Sequence, residues 1–349
     1  MALHNRTHLH IVFDPEIQLS PSAGDVAMYY IGLILKMYVN PLLGLGGIVI
    51  NIINTFIFYK MGLSDGVTQN FLILSIFDGI LAAAALVNSL SYILMNTIYT
   101  RGGPVAENLQ AVFWASVVSW PFSQIVSCIT TTVIAVVRCC CVAMPLRVKQ
   151  VLTARRQLAA IAAFSLGVDS VLVYVFEPTH LVRFTNPSTN ISQVAYEGAR
   201  YDLLNIFTNI FLYITFVIVI LCLIILIISL NRSSKFRDQS SKVSGANEKK
   251  GEKSREVRVV QTVILVAAIF IIFNTPTIVL SIVRQVTPGF SVRGHLRELY
   301  DFFIIFMETS LLLNVVANIF VYVGFNTRYR NILLESIGRS RSDAKLLKA

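Results

Sequence analysis

The sequence predicts an all-α membrane protein: a seven-transmembrane helix bundle followed by a short amphipathic C-terminal helix. Three observations carry that prediction. Seven long apolar runs fall near 29–59, 70–94, 109–137, 157–177, 203–230, 259–283 and 302–324. Each meets the roughly 20 residues that a helix needs to cross a hydrocarbon core of about 30 Å, and in lipid a lone segment satisfies its backbone only as a helix. Charged residues make up 14% of the chain and hydrophobic residues 55%, with a mean hydropathy of +0.68; ordinary soluble domains carry about 25% charged residues. The net charge of +10 is also unevenly placed. When loops are assigned alternately, one set collects Lys60, Arg138, Arg147, Lys149, Arg155, Arg156, a basic run from Arg232 to Arg258 and a basic tail. The other set holds Glu107, Glu177, Glu197, Asp202, Glu298 and Asp301. Basic loops stay cytosolic, which puts the N-terminus outside and the C-terminus in the cytosol.

The elements follow in order. Residues 1–28 lack a continuous apolar stretch of signal-peptide type, so they are expected to form an extracellular tail with the first run as an uncleaved anchor. Residues 29–324 form the membrane domain. Within it, 231–257 is polar, rich in Ser and Lys and poor in aromatics, and reads as a mobile cytosolic loop extending the fifth and sixth helices. In 325–349, Tyr329, Ile332, Leu333 and Ile337 recur at helical spacing beside Arg328 and Arg330, which predicts an amphipathic helix along the inner membrane face and then a cytosolic tail. Asn5 and Asn190 head glycosylation tripeptides on segments that the charge rule places outside.

Several function classes are excluded or demoted. Topology already explains the basic excess, so no nucleic-acid partner is expected. No nucleophile–base arrangement, H-E-x-x-H or P-loop occurs, which argues against an enzyme. A transporter or channel would need charges lining a continuous path or paired broken helices, and neither pattern is visible. The full charges deep within the runs are Lys36, Asp78, Asp169 and Glu308, and chemistry is expected near them. Cys128, Cys139, Cys140, Cys141 and Cys222 all fall in spans or at the end of the third, so no extracellular disulfide can be drawn.

Five local patterns then recur in order. The first run carries G-I-V-I-N-I-I-N (Gly47 to Asn54) and the second L-I-L-S-I-F-D (Leu72 to Asp78). The third ends A-V-V-R-C-C-C-V-A-M-P-L-R (Ala135 to Arg147) and the sixth holds F-I-I-F-N-T-P (Phe270 to Pro276). The seventh has L-N-V-V-A-N-I-F-V-Y (Leu313 to Tyr322), running into F-N-T-R-Y-R. Together they resemble the rhodopsin-like G-protein-coupled receptors over roughly 30–335. R-C-C-C-V-A-M-P-L-R-V-K, a following T-A-R-R, and F-E-P-x-H before the second outer loop look like the mollusc chemosensory receptors. Those are themselves similar to invertebrate FMRFamide-type peptide receptors. The departures are also clear: Val137 and Cys139 flank the motif arginine, Phe113 stands where the usual outer cysteine falls, Asn274 replaces a tryptophan and Ile319 a proline.

The resemblance implies roles, residue by residue. Arg138, Glu256, Asn318 and Tyr322 correspond to the switch that engages a heterotrimeric G protein, with Glu256 a candidate lock for Arg138. Asp78, Ser127, Asn314 and Asn318 match the positions that surround an allosteric sodium ion, the one cofactor implied; a neutral, hydrogen-bonded Asp78 is the alternative. Trp120, Gln124, Asn274 and Glu308, with Asp169 less well placed, are expected to line a ligand site toward the outer half. There Glu308 faces a cationic ligand or pairs with Arg284 or Arg297. Trp120 stands where amine receptors carry an aspartate and Leu312 where opsins carry a lysine, so neither chemistry is available. The expected function is a plasma-membrane receptor for an extracellular ligand, either a small chemosensory cue or a peptide.

Overall fold

The computed structural model describes residues 23–63, 66–98, 104–143, 153–176, 180–185, 192–197, 201–240, 249–290 and 294–338. The first run begins earlier than its apolar stretch suggests and folds in three pieces: α1 (Ala23–Ile34), a π-helical turn (Leu35–Val39) and α2 (Asn40–Met61). The reason lies in its inward positions. Gly32, Lys36, Asn40 and Gly44 are buried at strict intervals of four. Four residues of α-helix turn through about 400°, so three such steps drift by about 120°. The wider π turn absorbs that drift and keeps one face inward. Beyond Gly44 the buried positions Gly47, Asn51, Asn54 and Phe58 return to an α-helical spacing. Gly62, at φ 87°, ends α2 in a conformation that glycine adopts without steric cost.

The chain continues through α3 (Gly66–Ile98), α4 (Pro104–Ala143), α5 (Ala154–Phe176), a β-hairpin, α6 (Tyr201–Ser240), α7 (Lys249–Val286), α8 (Arg297–Phe325) and α9 (Thr327–Ser336). Proline opens α4, where a missing backbone N–H costs nothing. Pro276 lies inside α7, where it removes one helical hydrogen bond. The hairpin pairs β1 (His180–Thr185) with β2 (Ser192–Glu197), His180 opposite Glu197 and Thr185 opposite Ser192. It is the one addition to the all-α architecture among the described residues. The polar stretch 231–257 does extend its neighbours as helix, to Ser240 on one side and from Lys249 on the other.

Successive helices pack side by side, and α8 closes the ring against α1, α2 and α7. α4 runs through the middle, touching α3, α5, α6, α7 and β2. Gly47 allows α2 to approach α3 and α8 closely: a Cβ there would stand 2.9 Å from the Ala82 Cβ and 3.2 Å from Val315. Outward faces are apolar, as at Leu42, Ile52, Leu166, Ile214, Ile272 and Phe320, which in water would be untenable and against lipid is required. Among the described residues, 6 helical stretches are long and apolar enough to cross a membrane. α5, with 23 residues and so about 34 Å long, completes the seven-helix bundle of a multi-pass membrane protein.

The structure adds one detail to the C-terminal helix. α9 forms, with the Asn326 side chain accepting from the Tyr329 N–H at 3.1 Å as its N-cap. Its apolar side, however, packs on the bundle rather than simply on a membrane face. Tyr329 is completely buried, Ile332 and Leu333 pack on the same cluster, and only Ile337 of the four is strongly exposed. The clustered Phe58, Phe71 and Tyr322 rings form the seat, and the Tyr329 ring packs on it against Phe58 and Tyr322.

Candidate functional site

Polar side chains converge inside the bundle at three levels. At the end that carries the hairpin, Lys36 Nζ donates to Glu308 Oε2 at 2.5 Å and to Asn88 Oδ1 at 2.6 Å. Asn88 Nδ2 donates to Ser116 Oγ at 3.1 Å, and the Ser116 hydroxyl donates to the Phe113 carbonyl at 2.6 Å. One turn beyond Lys36, Asn40 Oδ1 accepts at 2.7 Å from Oγ1 of Thr309, the residue that follows Glu308. Across the bundle, Ser281 Oγ donates to Asn209 Oδ1 at 2.9 Å, linking α7 to α6. Below it, Asn274 Nδ2 turns back to the Phe270 carbonyl at 2.8 Å, while its Oδ1 reaches no donor among the described residues.

The middle level is built on Asp78, fully buried on α3. Ser127 Oγ donates to its Oδ1 at 2.7 Å and Asn318 Nδ2 to its Oδ2 at 3.0 Å, so α4 and α8 both close on the carboxylate. Asn314 is buried one turn along α8 on the same face. The Asn318 amide oxygen is buried and has no partner among the described residues. An orphaned oxygen beside a carboxylate is the donor set that a hard cation takes, so these residues fit the sodium ion that the resemblance implies.

The third level lies where α9 docks. Tyr329 Oη donates to Asn54 Oδ1 at 2.6 Å, and Asn54 Nδ2 donates to Asn51 Oδ1 at 3.2 Å. Asn51 Nδ2 reaches the Gly47 carbonyl at 3.0 Å and the Val315 carbonyl at 3.4 Å. One chain of amides thus ties α9, α2 and α8. Burial pushes the Tyr329 phenol up from its ordinary value, so it stays a donor at neutral pH. Tyr322 stands beside it, fully buried, its ring centroid 4.9 Å from Phe58, and its hydroxyl has no partner among the described residues. Arg328 donates to the Met61 carbonyl, closing the corner between α9 and α2.

The residues singled out in the sequence therefore separate. Of the set that the resemblance implied, Ser127 and Asn318 bond the Asp78 carboxylate, and Asn314 is buried one turn along α8. Arg138 sits half-buried at the α9 end of α4; Glu256 is on α7, and its side chain, like Asn5 and Asn190, lies outside the described residues. Trp120 packs on the cluster of Leu81, Ala82 and Val315, so it faces the α3 and α8 side. Gln124 is partly buried on α4. Glu308 does pair with a cation, but with Lys36 of the same chain; Arg297 pairs with Asp301 at 3.5 Å, and Arg284 lies over the Tyr300 ring at 5.9 Å. Asp169 is half-buried, with one oxygen unpartnered among the described residues. Asn88, Ser116 and Asn54 were passed over in the sequence, and Lys36 was singled out there as a buried charge without a partner or role. The one available signal was a lysine in the middle of an apolar run.

Comparison with known proteins agrees with this architecture. No curated protein matches the sequence. The fold resembles the crystal structure of squid rhodopsin, with a TM-score of 0.62 over 95% of this chain and 91% of that one, at 15% sequence identity. At that identity the likeness is one of fold. Residues 50–322 match the seven-transmembrane receptors of the rhodopsin family, and the chain belongs to that family.

Proposed function

We propose that this receptor binds a small extracellular molecule, a chemosensory cue, among its helices at the hairpin end, and from the plasma membrane activates a heterotrimeric G protein at the α9 end. The observation that carries this reading is a set of buried polar atoms on α6 and α7 that reach no partner among the described residues: Thr208 Oγ1, Asn274 Oδ1 and Thr277 Oγ1. Threonines inside helices commonly return the hydroxyl to a carbonyl one turn back, as Thr215 and Thr275 do here. A buried polar atom left unsatisfied costs about 1–3 kcal/mol. Polar groups that converge in an apolar cleft are the usual signature of a small-molecule site, and a ligand with hydrogen-bonding groups would satisfy all three.

Alanine scanning with an agonist, found by screening small cues beside FMRFamide-type peptides, tests the reading. Asn274→Ala and Thr277→Val should each weaken the agonist by roughly tenfold, the scale of one or two lost hydrogen bonds. Trp120→Ala should cost about 2 kcal/mol or more if Trp120 anchors the ligand. Losses confined to the 178–201 loop would instead favour a peptide receptor.

In the same reading, Asp78, Ser127, Asn314 and Asn318 hold a sodium ion in the inactive state. Arg138, Asn318 and Tyr322 carry the change to the G-protein face, and Glu256 restrains Arg138 until the ligand binds. Activation requires only that the ligand bind the active arrangement more tightly than the inactive one.

A further inference from the structure

Lys36 is an uncommon charge to bury: it is 5% exposed, in the first third of the span Val26–Met61, where an unpaired buried ammonium is costly. Its surroundings divide into two parts. One part is neutral and set by other elements. Asn88 accepts from the ammonium, Ser116 accepts from Asn88, and the Phe113 carbonyl accepts from Ser116, at 2.6, 3.1 and 2.6 Å. Every donor in that chain is used in one direction, which obliges the Asn88 carbonyl to face Lys36. The Tyr92 ring, 5.9 Å away at its centroid, completes this side. The other part is a single carboxylate, Glu308, brought in from α8 at 2.5 Å. The lysine side chain is 7% exposed, whereas Glu308 keeps 18%, making the acid the more accessible member of the pair.

The cationic half is therefore built on α1–α4 and owes its shape to residues other than Glu308. We propose that Lys36, oriented by Asn88 and Ser116, is a carboxylate-binding site that Glu308 fills in this conformation, and that a carboxylate-bearing ligand competes with Glu308 for it. The proposal rests on the intrahelical ligand reading and names the chemical class that the site selects. It also explains the π turn: without it, Lys36 and Asn40 would not both face α8. Displacement of Glu308 would release the tie between the first and seventh spans, a direct route from ligand to helix movement. Because Lys36 already neutralises Glu308, a purely cationic ligand finds no free acid there.

The test uses acetate as the probe and thermal unfolding of the purified full-length receptor in detergent as the readout. Sodium chloride at the same concentration serves as the control, which keeps sodium constant. Glu308→Ala should melt below wild type and recover by a few degrees, saturably, with acetate and not with chloride. Wild type should show no acetate-specific shift, because the tethered carboxylate outcompetes the free one. Glu308→Gln, nearly isosteric and less disruptive to folding, should show the same acetate-specific rise. Adding Lys36→Met to either variant should abolish it. An acetate effect equal to that of chloride in both variants, or one that persists after Lys36→Met, would overturn the proposal. The readout does not involve signalling: an acetate site found together with agonist losses confined to the outer loop would uphold this site and defeat the intrahelical reading.

Discussion

Asp78 constrains its own surroundings through elementary electrostatics. A carboxylate in the middle of an apolar run must be neutral, paired or solvated by fixed dipoles, and its two donors prove to be Ser127 and Asn318, 2.7 and 3.0 Å away. If the cluster holds sodium, Asp78→Asn removes the charge while an amide oxygen still accepts one hydrogen bond. The expected outcome is an agonist affinity that no longer varies with sodium, with surface expression retained. Wild-type affinity that ignores sodium would instead leave Asp78 a neutral, hydrogen-bonded group. Glu308 was less legible. Its depth on the seventh span was readable, but its partner lies 272 residues away on the first, and no spacing rule reaches that far.

At the scale of elements, two features arise from packing rather than from propensity. The π turn at Leu35–Val39 has no composition of its own; it exists because four buried positions recur every four residues. α9 was recognisable as amphipathic, yet the pattern Tyr329, Ile332, Leu333 cannot say whether lipid or protein receives it. The decision rests on Tyr329, which packs against the Phe58 and Tyr322 rings and donates to Asn54. Tyr329→Phe keeps the ring and deletes the donor, leaving Asn54 Oδ1 buried without it. The receptor should lose about 1–3 kcal/mol of stability, read as a lower melting temperature in detergent. An unchanged melting temperature would mean that ring packing alone seats α9.

For the whole molecule, membership of a signalling receptor family makes the chain a non-enzymatic, membrane-embedded receptor with an external ligand and a G protein as its partner classes. The distribution of Lys and Arg predicts which way it is inserted. An epitope tag placed within 240–250 should be reachable by antibody only after permeabilisation, and Asn5 and Asn190 should carry glycans removable by an amidase. Labelling of the tag on intact cells would reverse the orientation. The inner switch is testable at the same scale. Glu256→Ala should raise basal G-protein activation if Glu256 restrains Arg138, whereas Arg138→Ala should abolish activation with the protein still at the surface. Equal basal activity in wild type and Glu256→Ala would remove Glu256 from the switch.

Sequence alone determined the number of membrane runs, their order and the expected orientation, and the motif resemblance pointed to the residues around Asp78. These follow from hydrophobic length, from charge bias between loops and from motifs that each lie within one helix, all local properties of the chain. Tertiary structure alone decided that Lys36 neutralises Glu308, that Trp120 turns toward Leu81 and Val315, that Asn54 receives Tyr329, and that His180–Thr185 pairs with Ser192–Glu197 as a hairpin. Each of these depends on how one segment is placed and turned relative to another. For the helices that placement is set by the packing of whole apolar faces, and a sequence read one segment at a time does not contain it.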